Sequence, residues 1–149
     1  MSTPIRRTAV LLAAVILLSA CSSTEPRSSA GPSPRAVDLT MTDQMAFEPA
    51  RIEVRRDETV RFVVRNVSNE AHEAYIGTEE EQRLHETVHA ALSSEEQPKT
   101  THMGYGVHIP PFGNGELVVK FDNAYEYVIG CHYPGHYEAG HRAVIEVSE

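Results

Sequence analysis

The residues best suited to chemistry lie near the C-terminus of the chain. Cys131 is followed five residues later by His136 and, after five more, by His141. Pro134 and Gly135 supply the fixed and the permissive backbone angles of a tight turn, which brings Cys131 and His136 towards one centre. Thiolate favours Cu(I) and imidazole accepts either oxidation state of copper, so this donor set predicts a copper site.

The composition limits the domain count and the class of partner. The chain has 149 residues, enough for one domain, and its 21 acidic against 13 basic residues give a net charge of −8. It has no basic cluster outside the extreme N-terminus. Because nucleic-acid binding relies on clustered Lys and Arg, we expect no nucleic-acid partner.

The N-terminus has the pattern of an export signal. Arg6 and Arg7 precede a short apolar run, and Leu18 to Cys21 reads Leu-Ser-Ala-Cys, which resembles the bacterial lipobox. We therefore predict a signal peptide at 1–20, lipid on Cys21, and export to the outer face of a bacterial membrane, where the lipid anchors the protein.

The composition then divides the remainder of the chain into a tether and a folded domain. The segment after Cys21 is rich in Ser and Pro, so 21–35 is predicted to be a flexible tether and 36–149 the folded domain. The chain has two cysteines, so Cys131 has no disulfide partner if Cys21 carries lipid. An unpaired thiol in an oxidising compartment favours metal ligation as its role.

Alternation of apolar and polar residues predicts short β-strands through most of the domain. Taken together, seven or eight strands predict an all-β Greek-key sandwich. The positions that carry the pattern are Val37, Leu39, Met41, Ile52, Val54, Val60, Phe62, Val64, 71–77, Val107, Ile109, Leu117, Val119, Phe121, Tyr125, Tyr127, Ile129, Ala143, Ile145 and Val147.

One helical insertion interrupts the strands. Thr78 and Glu81 have the spacing of a capping box, which predicts a helix over 79–92. Apolar residues at helical spacing predict that this helix buries one apolar stripe. The stripe consists of Leu84, Val88, Ala91 and Leu92.

Several motifs together resemble the cupredoxins, the small blue copper proteins that include plastocyanin and azurin. The likeness covers Val37 to Glu149 and is closest to bacterial exported cupredoxin-like proteins. The motifs are Phe47-Glu48-Pro49, Thr59-Val60-Arg61-Phe62, Asn66, His72-Glu73, Ile109-Pro110-Pro111 and Cys131-x₄-His136. The resemblance implies one copper per chain, bound by His72, Cys131 and His136, and one-electron transfer to a partner protein that the sequence does not identify.

The chain departs from the family motif at His141, where the motif has a weak axial Met. An imidazole binds more closely than a thioether and favours Cu(II), which predicts a lower potential and a less purely blue site. Alternatively, His141 turns to solvent and another group, or none, occupies the axial position. His132 and Glu73 fall on the opposite parity from the ligands beside them, so His132 is predicted to be a non-ligand and Glu73 to have a structural role.

The inserted helix also contains His85-Glu86-Thr87-Val88-His89, which has the H-E-x-x-H form of zinc proteases. The extended form of that motif fails, since Leu92 and Glu95 stand at its Gly and third-His positions, and an acidic, solvent-exposed helix face explains the pattern. A weaker second copper site near His85, His89, His102 and Met103 stays open, while His108 could approach the copper edge.

The expected function is a one-electron carrier without enzymatic activity, acting as a monomer. An alternative is copper storage, delivery or resistance, and a small-molecule copper enzyme is a less favoured third possibility.

Overall fold

The computed structural model describes residues 33–91 and 105–149, which form nine strands and one helix. In chain order the elements are β1 (Arg35–Met41), β2 (Phe47–Glu48), β3 (Arg51–Arg55), β4 (Thr59–Asn66), β5 (His72–Gly77), α1 (Glu79–Ala90), β6 (Tyr105–Ile109), β7 (Asn114–Lys120), β8 (Glu126–Gly130) and β9 (Arg142–Ser148).

The strands form two sheets. The four-stranded sheet has the order β2-β1-β4-β7, and the five-stranded sheet has the order β3-β9-β8-β5-β6. β1 pairs with β4 and β3 pairs with β9 in parallel, and the other pairs are antiparallel. β5 lies between β8 and β6, so the first residue of β5, His72, starts inside a sheet rather than at its edge.

The core consists mainly of the alternating apolar residues that the sequence pattern identified, but Tyr125, which the pattern included, is 57% exposed. Leu39, Phe62, Val64, Ile129 and Ile145 are each at most 1% exposed. The predicted all-β sandwich with one helix is confirmed. It has one strand more than the upper limit of eight, because β2 has only two residues and no alternation marks so short a segment.

The helix begins as predicted and buries a different face. The Glu81 amide donates to Thr78 Oγ1 over 3.4 Å, and the Thr78 amide donates to Glu81 Oε2 over 2.7 Å. The helix ends at Ala90 rather than at 92, and Leu84 is 49% exposed. The predicted apolar stripe is wrong. The buried residues of α1 are all polar, namely Gln82, His85 and His89.

Polar contacts on its buried face attach α1 to the sandwich. Gln82 Nε2 donates to the Val128 carbonyl over 2.6 Å, and Gln82 Oε1 lies 2.6 Å from His132 Nε2. Burying such groups is tolerated when each one has a hydrogen-bond partner.

The predicted signal peptide, Cys21 and most of the tether lie outside the described residues, as do Leu92, His102 and Met103. Within the described ranges, α1 is neither long nor apolar enough to span a bilayer.

Candidate metal centre

Four donor side chains meet at one end of the sandwich. His72 is the first residue of β5, and Cys131 directly follows β8. His136 lies in the loop between β8 and β9, and His141 directly precedes β9. Two neighbouring strands and one loop therefore position all four groups.

The donor atoms are close enough to share one metal ion. Cys131 Sγ lies 3.4 Å from His136 Nδ1 and 3.7 Å from His72 Nδ1. The two Nδ1 atoms are 3.2 Å apart. With His141 included, one ligand atom from each residue lies within 4.8 Å of the others.

His141 points into the protein rather than to solvent. The residue is 0% exposed, and its ring packs 4.8 Å from the ring of Phe47 and 4.5 Å from that of His72, measured between centroids. Within the described part of the chain, neither of its ring nitrogens has a hydrogen-bond partner. A buried polar atom without a partner is costly, so His141 is placed like a ligand whose partner is a metal.

Burial holds these histidines in the neutral form that binds metal. It lowers the pKa of His141 to about 3, an effect that the neighbouring His72 and His136 increase. Burial also lowers the pKa of His72 and of His136. A neutral imidazole keeps the lone pair that metal coordination needs.

Burial has the opposite effect on the thiol, because its charged form is the deprotonated one. It raises the pKa of Cys131 to about 12, although the Glu73 amide, which donates to Sγ over 3.3 Å, acts against the shift. Without a metal, the thiol is therefore protonated at neutral pH.

A hydrogen-bonded pair behind His72 fixes its ring. Ser68 Oγ lies 2.8 Å from His72 Nε2, and Ser68 also donates from its amide to Asn66 Oδ1 over 2.9 Å. Asn66 Nδ2 in turn donates to the carbonyls of Glu70 and Pro110, over 2.7 and 3.0 Å. If Nε2 carries the proton and donates to Ser68, Nδ1 is left as the metal donor that faces Cys131.

Backbone hydrogen bonds hold the loop that carries the remaining ligands. The Cys131 amide donates to the His141 carbonyl over 3.1 Å, and the His141 amide donates to the His136 carbonyl over 3.0 Å. Gly135 and Gly140 have φ angles of 82° and 96°. A side chain would fit in the space at both positions, but this backbone conformation favours glycine.

The other residues singled out from the sequence have different surroundings. His132 Nδ1 lies 2.7 Å from Glu86 Oε2, and with Nε2 near Gln82 both of its ring nitrogens are engaged away from the four donors. His85, His89 and His108 lie beside Glu73 on the opposite side of β5 from His72. Thus His108 does not join the four donors.

Sequence reasoning missed Ser68 and gave Asn66 only as part of the resemblance. The Asn-x-Ser spacing four residues before His72 is the available signal, but its meaning depends on how the turn after β4 folds.

The family comparison identifies a class of metal-binding protein. The family of copper-binding proteins described as plastocyanin/azurin matches residues 35–148. The chain belongs to this copper-binding family. The cupredoxin resemblance of the sequence is confirmed, and the copper that defines the family suits a buried cysteine surrounded by three neutral histidines.

Two relatives share a more specific description. The chain is 38% identical to the copper-resistant cuproprotein CopI of Rubrivivax gelatinosus, over 71% of this chain and 62% of that protein. It is 28% identical to the copper-resistant cuproprotein CopI of Pseudomonas aeruginosa, over 71% of this chain and 72% of that protein. It therefore spans less than two thirds of the length of the Rubrivivax relative.

Solved cupredoxin structures share the fold. Auracyanin A, a "blue" copper protein of Chloroflexus aurantiacus, superposes with a TM-score of 0.63 at 17% identity, over 77% of this chain and 99% of that one. An azurin of Methylomonas sp. strain J superposes with a TM-score of 0.60 at 16% identity, over 77% and 98% of the two chains. At such low identity these likenesses establish the cupredoxin fold alone.

Proposed function

We propose that the protein binds one copper ion at this centre through Cys131, His72 and His136, with His141 as the fourth ligand, and that it serves copper tolerance in the cell envelope. The observation that carries the proposal is the convergence of four donors, one of them an imidazole whose two ring nitrogens have no hydrogen-bond partner within 33–91 and 105–149. The copper-resistant relatives support tolerance as the biological role.

The donor set explains how the site would hold copper. Thiolate and imidazole ligands together let copper exist in both oxidation states, and a close fourth imidazole favours Cu(II) over Cu(I) relative to a thioether. Because the Cys131 thiol is protonated in the metal-free protein, copper binding has to displace its proton. Affinity at the centre should therefore increase with pH.

A matched pair of variants tests the ligand set. We expect the full chain loaded with Cu(II) to show an intense thiolate-to-copper absorption band. Cys131→Ser should abolish this band, and Cys21→Ser, the same substitution at the other cysteine, should leave it unchanged. If the wild type shows no such band, or if the band survives in Cys131→Ser, the proposed centre is wrong.

The biological role needs a cellular test. In a copper-sensitive bacterial strain that lacks its own copper-tolerance protein, we expect the wild-type chain to restore growth on copper and Cys131→Ser to fail, at equal protein levels in the envelope. Equal rescue by both chains would show that copper tolerance does not depend on this centre.

A one-electron carrier is the second candidate, and the exposure of the site favours it. His136 is the most exposed of the four ligands, with 14% of its side chain accessible. Phe112, which is 70% exposed, donates its amide to the carbonyl of Ser68, behind His72. An apolar side chain so near the centre could contact a redox partner. A fast self-exchange of electrons would support the carrier, whereas slow exchange with tight copper binding would support copper holding.

We further propose that the protein is not an enzyme, because four protein donors occupy every position of a four-coordinate copper ion. Reversible redox cycling with no consumption of small molecules by the loaded protein would support this. Turnover of a reductant with dioxygen would contradict it.

Export, the lipid anchor and the monomeric state are also proposals, supported by the N-terminal sequence pattern and by the size of the domain. Cells supplied with labelled fatty acid should label the wild-type chain and not Cys21→Ser. The soluble Cys21→Ser chain should elute as a monomer in size-exclusion chromatography.

A further inference from the structure

A second group of metal-binding side chains surrounds the buried carboxylate of Glu73. The side chain of Glu73 is 0% exposed. His85 Nε2 lies 3.1 and 3.0 Å from its two oxygens. The Nε2 atoms of His89 and His108 lie 3.6 and 3.7 Å from Oε1. Three imidazole nitrogens thus face one carboxylate inside the protein.

The fold builds this group from three elements. Glu73 on β5 and His108 on β6 are directly paired in the antiparallel register, so their side chains lie on the same face of the sheet. His85 and His89 are four residues apart on α1 and share the face that packs on this sheet. The ring of Tyr75 stacks on that of His85 with centroids 3.8 Å apart and an angle of 7°, which fixes the plane of the imidazole.

The ion-pair partners that the described residues offer to the buried Glu73 carboxylate are histidines. Within 33–91 and 105–149, the ion pairs of this carboxylate are with His85, His89 and His108, and none is with a lysine or arginine. A buried carboxylate is strongly unfavourable unless a positive charge compensates it, and a divalent cation would do so.

We propose that Glu73, His85 and His89 bind a second metal ion, a divalent transition metal such as Zn²⁺ or Cu²⁺, and that His108 supplies the fourth donor. One ligand atom from each of Glu73, His85 and His89 lies within 4.8 Å of the others. Zinc bonds to nitrogen and oxygen are about 2.0–2.2 Å long, so donors at the corners of a tetrahedron are roughly 3.3–3.6 Å apart. The separations of 3.0–3.7 Å from the carboxylate bracket this spacing.

This site is separate from the copper centre although the two share a strand. Successive residues of a strand point to opposite faces, so His72 faces the copper centre while Glu73 faces α1. Cys131 and His132 diverge in the same way, with the thiol near His72 and the imidazole beside Gln82. The sequence predicted a second site that includes His85 and His89, and the proposed site contains both. It also contains Glu73 and His108. The other two residues of that prediction, His102 and Met103, lie outside the described residues.

The H-E-x-x-H sequence of α1 thereby acquires a role without protease chemistry. Its two histidines face Glu73, whereas its glutamate, Glu86, contacts His132 instead. In a zinc protease that glutamate acts as the general base beside the metal. Here the motif supplies two ligands to a buried ion.

The first experiment counts metal ions in the intact chain. We expect native mass spectrometry of the chain loaded with Cu²⁺ to show two ions per wild-type chain and one per Glu73→Gln chain, with the thiolate band of the copper centre present in both. His89→Gln should also lose one ion, and it provides a second variant if Glu73→Gln does not fold. His132→Gln is the matched control, a buried histidine in contact with α1 whose ring nitrogens are both engaged, and it should keep two.

The second experiment removes the dependence on the copper centre. A chain with Cys131→Ser and His136→Gln has lost two of the four donors there, and dialysis against Zn²⁺ alone should leave it with one bound ion. Adding Glu73→Gln to that chain should reduce the content to none. The proposal is overturned if the doubly substituted chain binds no zinc, or if Glu73→Gln changes neither count. Failure of the copper centre alone would remove the thiolate band and leave the zinc result intact.

Discussion

Residue 141 decides the electronic character of the copper centre that we propose. Its ring is buried against Phe47 and His72, and neither nitrogen has a hydrogen bond to any described residue, so little rearrangement separates it from coordination. In His141→Met a distant thioether would replace a close nitrogen donor, which favours Cu(I). We expect a higher reduction potential by protein-film voltammetry and a spectrum closer to that of a blue copper protein.

The comparison variant for this prediction is His141→Ala, which removes the donor without providing another. We expect it to bind copper more weakly than the Met variant. If the potential and spectrum of His141→Met match those of the wild type, His141 is not a ligand.

Ser68 lies outside the proposed ligand set but positions one of its members, His72. Its hydroxyl is the hydrogen-bond partner of His72 Nε2, and Asn66 orients it. Removing such an outer partner typically weakens metal affinity about 10–100-fold. We expect a loss of that order in Ser68→Ala, measured by competition with a copper chelator.

Ser68→Thr keeps the hydroxyl and should retain most of the affinity. An equal loss in both variants would indicate that packing at this position matters rather than the hydrogen bond to His72.

The sequence alone could locate three of the four proposed copper donors, because Cys131, His136 and His141 lie in one loop. His72 is 59 residues from Cys131 in the chain. Only the family resemblance pointed to it, since local spacing does not show which strands become neighbours. The roles of Ser68 and His108 were harder to predict from the sequence. The role of Ser68 depends on the shape of a turn, and that of His108 depends on the register between β5 and β6.

At the scale of elements, α1 depends on polar contacts where apolar ones were expected. Gln82 is 0% exposed and bonds to the Val128 carbonyl and to His132, whereas Leu84 is 49% exposed. Losing a buried hydrogen-bond partner costs about 1–3 kcal/mol, and substitutions on an open surface usually cost within about 0.5 kcal/mol. Gln82→Ala should therefore reduce the free energy of unfolding more than Leu84→Ala, as measured by urea denaturation of metal-free protein.

A larger loss from Leu84→Ala would mean that α1 is held by the apolar stripe that the sequence predicted and not by its polar face. The capping box located the start of this helix correctly because it is a local property of the sequence. The apolar periodicity identified the wrong face because the surface that receives α1 is itself polar. This polar surface includes Glu73 of β5 and His132 of the loop after β8. The sequence of the helix alone therefore does not reveal it.

The whole domain buries many more imidazoles than a sandwich core ordinarily contains. Five histidines that are 0–2% exposed lie between the sheets or under α1, namely His72, His85, His89, His132 and His141. Both clusters use strand alternation, which sends neighbouring residues of one strand to different metal-binding groups. The metal-free protein has to keep these rings neutral in order to stay folded, which links its stability to pH.

Acid should therefore destabilise the metal-free domain well above the pH at which carboxylates titrate. The pKa of His72, His89, His132, His136 and His141 is lowered in the folded state, chiefly by burial. Below the ordinary histidine pKa of about 6.5, the unfolded chain binds more protons than the folded one, so stability falls as pH falls. Each such histidine contributes up to about 1.4 kcal/mol per pH unit, and for His141 the loss continues towards its folded pKa of about 3. Urea unfolding from pH 7 to pH 5 should show this decrease in the free energy of unfolding. In His141→Met the slope should be smaller by up to the contribution of one histidine. A stability independent of pH over that range would mean that these rings are not held neutral by burial.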